Sequence, residues 1–422
     1  MSLSNNYPAI ATTLLQDFVK SRVFDPRITF TRASTATYFN SLGVLTTANN
    51  NVPRLDYNPS TLAPLGLLIE EQRTNSIRNN TMQGAVAGTP GTLPTNWITI
   101  GAGLGTLTQQ IVGTGISNGI TYIDVRISGT TSTISFGISP ESNTQISAAS
   151  GQNWTSSIYL ARVGGTTSNL TIIQRVVERT IVGSGVANTP TNITSSLGTS
   201  LSRFSVTRTL TDATTAFVTT DVLFEFLAGA AIDITLRIGL PQLEQGAFAT
   251  SVIPTTTTAL TRNADVASMT GTNFSSWFNA AEGTLLAQVI YGADVNCKTA
   301  FINNGAYTNL FSMQREASLD RWQVDVFSGG SRQALLTFAT NSAAINSVSK
   351  CASAYKVDDF SGSVNGGTVV TDTSGLVPVS MDRLALGRDN VGSAEFLNGW
   401  LQRISYYPVR NTNSQLQALT GS

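Results

Sequence analysis

AIDITLRIGLPQLE (231–244) places Ile232, Ile234, Leu236, Ile238 and Leu240 at every second position, with polar or small residues between most of them. Alternate residues of a strand point to opposite faces, so this stretch reads as a strand with one side in a core. The same period extends on both sides of it. ITYIDVRISG (120–129) carries Ile120, Tyr122 or Ile123, Val125 and Ile127, and STISFGIS (132–139) carries Ile134, Phe136 and Ile138. SSIYLARV (156–163) and RFSVTRTL (203–210) repeat the pattern. Strands at such intervals, separated by turn residues, predict an antiparallel sandwich or jelly roll. Beyond a Thr-rich connector, TSVIPTTTTALTRNADV (250–266), lies a second set: GTLLAQVIY (283–291), RWQVDVFS (321–328), ALLTFAT (334–340), YKVDDFSGSVNG (355–366), DRLALGR (382–388) and FLNGWLQRISYYP (396–408).

The ends read differently. Leu14-Leu15 and Phe18-Val19 have helical spacing and predict one or two turns of helix. Prolines 53, 59 and 64 punctuate the stretch up to residue 84, so residues 1–84 are expected as an extended module outside either sandwich. The tail NTNSQLQALTG (411–421) predicts a short helix, with an Asn or Ser cap and Gly421 as its stop. The expected fold class is therefore all-β: two antiparallel β-sandwiches, over 85–262 and 263–422, behind an N-terminal module.

Composition supports this. Apolar residues make up 41% of the chain and charged residues only 12%, about half the usual share. Long amphipathic helices need a charged outer face that this chain lacks. Basic and acidic residues balance at 25 each, so neither nucleic acid nor an anionic membrane surface is an expected partner. No apolar run approaches the roughly 20 residues of a bilayer span. The first residues show no basic stretch followed by an apolar one, so no signal peptide is expected. The chain has no histidine, which excludes Ser-His-Asp and Cys-His nucleophiles and His-ligated zinc. Cys297 and Cys351 are too few for a disulfide framework and are expected as buried thiols.

Three stretches then carry a resemblance: DPRITFTRASTATYFNSLGVL with VPRLDY and GLLIEEQRTN; GLPQLEQGAFATSVIPTTTTALTRNADV; and YKVDDFSGSVNGG, MDRLALGR, LNGWLQRISYYPVR and QLQALTG. They resemble bacteriophage virion proteins of the tail-fibre, head-fibre and minor structural type, and the third is similar to concanavalin-like (laminin-G-like) sandwiches. The resemblance implies a jelly roll akin to carbohydrate-binding modules for 85–262 and a concanavalin-like sandwich for 263–422. It also implies a fibre, spike or decoration role in a virion, released by lysis. Partners would be other virion proteins and the chain's own copies, with a homotrimer as the fibre-like arrangement, and host-surface glycan.

Sugars stack on aromatic rings while polar side chains hold their hydroxyls. Trp97, Trp154, Trp322 and Tyr307 are the candidate glycan platforms, with Trp277 and Tyr291 behind them; likeness to similar sandwiches puts Trp400 in the core. Arg27, Arg32, Arg54 and Arg73, with Arg78, make the N-terminal region locally basic; the first four are candidates for docking onto another virion protein, and the alternative is that they hydrogen-bond the carbonyls of an extended segment. The alternative function is a polysaccharide depolymerase. Glycosidases need two carboxyls about 5–10 Å apart, and adjacent strand residues such as Glu70-Glu71 or Asp358-Asp359 point to opposite faces. No catalytic residue and no cofactor is therefore assigned. Laminin-G-like domains often hold calcium, but Asp294, Asp358, Asp359, Asp389 and Asn390 form no DxDxDG-type loop.

Overall fold

A computed structural model describes residues 11–21, 23–392 and 395–421. It is all-β, its strands antiparallel in every named sheet, and it divides into two compact units.

One unit comprises residues 44–47 and 72–262. It is a sandwich of two five-stranded sheets. The first runs Ser202–Thr209, Asn153–Gly165, Ala231–Gln245, Ile120–Thr130 and Thr108–Ser117. The second runs Gly185–Asn192, Leu170–Arg179, Phe217–Phe226, Ser135–Ser139 and Ile98–Gly101. The alternation in Ala231–Gln245 does what its period demands: Ile232, Ile234, Leu236 and Ile238 enter one core with Ile123, Val125 and Ile127 of the paired strand. Each such side chain contributes about 1.5–3 kcal/mol when fully buried. Between the sheets lies Glu178, which accepts hydrogen bonds from Arg208, Thr215 and the backbone N–H groups of Thr211 and Asp212.

The other unit takes the described residues of 1–43, 48–71 and 263–422. An eight-stranded sheet runs Val370–Asp372, Phe360–Val364, Val348–Lys356, Glu282–Tyr291, Gly399–Tyr407, Pro64–Ile69 and Leu55–Tyr57, with Leu14–Asp17 also paired to Gly399–Tyr407. A seven-stranded sheet runs Thr29–Thr31, Val266–Thr270, Arg383–Leu386, Cys297–Asn303, Leu310–Glu316, Arg321–Ser328 and Ser331–Thr337. The core includes Leu67, Ile69, Leu285, Met313, Trp322, Val324 and Leu401.

Two N-terminal expectations are corrected here. Leu14–Asp17 is a strand and not a helical turn, because it pairs with residues 403–406 of an existing sheet. Residues 1–84 do not form a module of their own. Leu14–Asp17, Thr29–Thr31, Leu55–Tyr57 and Pro64–Ile69 complete the two sheets, while Arg73–Asn75 belongs to the other unit. A segment with so few apolar residues cannot bury a core alone, and strand addition satisfies its backbone.

The arginines are corrected for the same reason. Asp265 accepts from Arg32 at 3.0 Å, from Arg54, and from the Glu70 backbone N–H at 3.0 Å, while Arg54 also pairs with Glu70 at 2.8 Å. The Arg32, Arg54 and Asp265 side chains are fully buried. Burial works against the Arg54 charge, but Asp265 and Glu70 outweigh it and push its pKa up. Such charges are internal and cannot dock a partner. Arg73 is also buried, donating to the Gln245 carbonyl with its guanidinium 4.7 Å from the Phe248 ring centre. Arg27 alone of the four is partly exposed, and it pairs with Asp25 at 2.7 Å.

The C-terminal helix spans Asn413–Thr420, capped by Thr412 and Gln415 in a reciprocal capping box. Cys297 and Cys351 are free and buried, and burial pushes the Cys297 thiol up to about 12.

Candidate functional site

The seven-stranded sheet presents its second face away from the core, and period-two alternation decides what stands there. Phe311 and Met313, like Trp322, Val324 and Val326, point inward. Their neighbours therefore point out, and the pairing register sets them in rows. Lys298, Gln314 and Gln323 are cross-strand neighbours, as are Ser312 and Asp325, and Glu316 and Arg321.

These side chains hold one another. The Gln314 amide oxygen accepts from Lys298 Nζ and from Ser312 Oγ at 3.1 Å. Gln314 Nε2 donates to Gln323 Oε1 at 3.2 Å and Asp325 Oδ2 at 3.1 Å. Gln323 Nε2 in turn donates to Glu316 Oε2. A ladder of amide, ammonium and carboxylate groups thus runs across three strands, half-buried and fixed in direction.

At one end the face becomes aromatic. Phe301, Leu310 and Ala385 form a small outer cluster joined by Phe327 and Val391. Beside it stands Tyr307, its ring 6.2 Å from that of Phe301. Tyr307 lies in the turn after Cys297–Asn303, shaped by Asn303 and Asn304, whose side-chain oxygens accept from the Gly305 and Ala306 N–H groups at 2.8 and 3.2 Å. Its hydroxyl donates to Asp389, which is buried and also accepts from the Val391 N–H at 2.7 Å. A Cβ on Gly392 would come within 2.7 Å of that hydroxyl, so a larger residue there would press on the tyrosine. The residue is nevertheless 44% exposed. It is a large aromatic surface held in place beside Phe301, whose cross-strand neighbour Ser312 donates to Gln314 of the polar ladder.

Of the four sequence-derived platforms, Tyr307 is the one with a ring open to solvent. Trp97, Trp154 and Trp322 are 7%, 4% and 0% exposed. Their indole N–H groups are satisfied by the Asn79 carbonyl, Gln152 and Ser349. A ring enclosed by its own core cannot stack on a sugar, so these three assignments are withdrawn. Trp277 and Tyr291 are buried likewise. Trp400 moves the other way. Its strand neighbour Leu401 takes the core position, leaving Trp400 half-buried on the opposite side with its N–H donating to Asp56 at 2.8 Å.

The acidic candidates are engaged elsewhere. Glu70 pairs with Arg54, Asp359 with Arg410 at 2.7 Å and Asp294 with Arg315 at 3.0 Å, while Asp358 accepts from the Gly375 N–H at 2.9 Å. Among the described residues no group of three or more His, Cys, Asp or Glu side chains is placed to hold a metal ion. Sequence reasoning missed Lys298, Gln314, Glu316, Gln323 and Asp325. The signal was present in RWQVDVFS, where the polar Arg321, Gln323 and Asp325 take the outward positions before Phe327.

The sequence matches no family model and no curated protein. Among solved structures, a Ruminococcus gnavus sialidase CBM40 bound to α2,3-sialyllactose is 14% identical with a TM-score of 0.32, covering 36% of this chain and 88% of that one. A heptameric SAP-like pentraxin from Limulus polyphemus is 12% identical (TM-score 0.27, 33% and 70% covered). Domains LG4-5 of the mouse laminin α1 chain are 10% identical (TM-score 0.24, 62% and 85% covered).

Proposed function

We propose that this chain is a non-enzymatic adhesion protein that holds carbohydrate against the outer face of its seven-stranded sheet. The observation that supports this reading is Tyr307: exposed, anchored through its hydroxyl to buried Asp389, and packed on Phe301, whose cross-strand neighbour Ser312 belongs to the preorganised ladder of amides and charges. An apolar ring face beside fixed hydrogen-bonding groups is the chemistry a sugar needs. The test is a glycan array with the intact protein and its Tyr307→Ala variant. Binding that falls with the variant supports adhesion at this face; a folded protein that binds no glycan refutes it.

We further propose, on the sequence resemblance, that the protein belongs to a bacteriophage particle, as a fibre, spike or decoration component that contacts sister copies. The N-terminal strands would then anchor through the surface of the sandwich they help to build, where Arg27 lies. Immunogold microscopy of intact particles tests this, with label on fibres or head as the expected result and unlabelled particles as the refuting one.

A further inference from the structure

Apart from buried Asp389, which anchors Tyr307, eight charges on this face occur in pairs. Lys298 Nζ lies 3.2 Å from Glu395, Arg321 Nε 2.6 Å from Glu316, Arg332 Nε 2.9 Å from Asp325 and Arg383 Nε 2.6 Å from Asp382. Each basic side chain named here therefore has its own carboxylate, and the eight charges sum to zero. We propose that the face selects neutral, hydroxyl-rich glycans and rejects those bearing carboxylate or sulfate; the inference rests on the adhesive reading of this same face.

The reasoning is electrostatic and stereochemical. An anionic sugar that approaches one of these guanidinium or ammonium groups meets the carboxylate already paired with it. It would then stand against Glu316, Asp325, Glu395 or Asp382, where like charges at contact distance are costly. A neutral sugar meets no such opposition. Its hydroxyls both donate and accept, which suits a surface offering both kinds of group. Gln323 Nε2 makes one hydrogen bond of the two it can donate, and Lys298 Nζ has three hydrogens for Gln314 and Glu395. Gln314 is committed on both sides of its amide and sets the orientation of its neighbours. The Tyr307 ring supplies the apolar surface for a C–H-rich sugar face. Because no net charge is exchanged, binding should be insensitive to salt, unlike the steered association of opposite charges.

The full chain would be titrated with dextran and mannan oligosaccharides as neutral probes, and with sialyllactose and dextran sulfate as anionic ones. Each titration would be run at low ionic strength and again in about 0.5 M salt, where screening is strong. The expected result is binding of a neutral probe that salt leaves unchanged within a factor of two, and that Tyr307→Ala weakens by about tenfold. Sialyllactose and dextran sulfate should not bind the wild type. They should gain affinity in the Glu316→Gln, Asp325→Asn double variant, in which Arg321 and Arg332 lose their partners. Preference for an anionic probe, or loss of affinity in salt, with Tyr307 still required, overturns the neutral selectivity and leaves adhesion at this face standing. No binding of any probe, or binding indifferent to Tyr307→Ala, overturns both.

Discussion

Single carboxylates in this molecule differ in sign, and sequence gives no hint of it. Glu178 and Asp221 both sit in strands that are buried at nearly every residue. Burial raises the Glu178 pKa, but Thr215, the Thr211 and Asp212 N–H groups and Arg208 together outweigh it and hold the carboxyl below its usual range. For Asp221 burial wins over Arg175 and Arg179, and its pKa is raised. The two contribute oppositely to stability against pH. A group with a depressed folded pKa stabilises above its unfolded value and loses that contribution as pH falls through the folded one. A group with an elevated folded pKa stabilises when protonated, and this is lost as pH rises through the folded value. Glu178→Gln should therefore cost on the order of 3 kcal/mol at neutral pH, since Arg208 loses its counter-charge. The variant should also flatten the decline of unfolding free energy below pH 4.5, where the wild type loses the Glu178 contribution. Asp221→Asn should instead remove a decline with rising pH that begins near 3.8. Urea unfolding at a series of pH values measures both.

Strand existence was legible because period-two alternation is imposed by the pleat itself, and burial of one face leaves it visible in RWQVDVFS or AIDITLRIG. Function on the outward face was less so. A polar residue pointing outward looks the same in sequence whether it hydrates a surface or joins a ladder, and only the cross-strand register brings Lys298, Gln314 and Gln323 into one row. Tryptophan misled for a related reason: residue type says that a ring is valuable, not which side of the sheet it takes. Turns and caps give sharper expectations. Asn118 and Gly119, with φ of 48° and 78°, close the hairpin between Thr108–Ser117 and Ile120–Thr130. A Cβ at Gly119 would lie 2.2 Å from the Leu45 carbonyl oxygen, so Gly119→Val should cost more than the roughly 1 kcal/mol of left-handed strain alone. At the C-terminus, Thr412→Ala removes the side-chain oxygen that accepts from the Gln415 N–H, a loss of about 1 kcal/mol. The helix packs Leu416 over Leu286, Ala352 and Ala354, so the effect should be local. Faster amide exchange confined to residues 413–421, with a small fall in melting temperature, is the expected signature.

At the scale of the whole chain, strand pairing overrides sequence order. The chain passes from one unit to the other between Arg262 and Asn263, but the unit that follows is discontinuous in sequence. Its eight-stranded sheet needs Pro64–Ile69 against Gly399–Leu401 and Leu14–Asp17 against Arg403–Tyr406. Its seven-stranded sheet needs Thr29–Thr31 against Val266–Ser268. Asp265 meets two arginines contributed from far upstream. None of this leaves a local trace, because period and composition report what a strand faces and not which strand lies beside it. The consequence is testable with fragments. Residues 263–422 alone would expose the backbone edge of Gly399–Tyr407, leave the buried Asp265 carboxylate without its cations, and open the core where Leu14, Phe30, Leu67 and Ile69 belong. An uncompensated buried charge costs about 3–5 kcal/mol and each missing large apolar side chain about 2–5 kcal/mol. Their sum exceeds the roughly 5–15 kcal/mol that holds an ordinary domain together. This fragment should therefore be insoluble, or bind a hydrophobic dye without a cooperative melt. Co-expression with residues 1–71 should restore a soluble, cooperatively melting complex. Residues 72–262, which carry both five-stranded sheets and their cores, should fold without assistance. A cooperatively folded 263–422 fragment would show that the N-terminal strands merely decorate a finished sandwich.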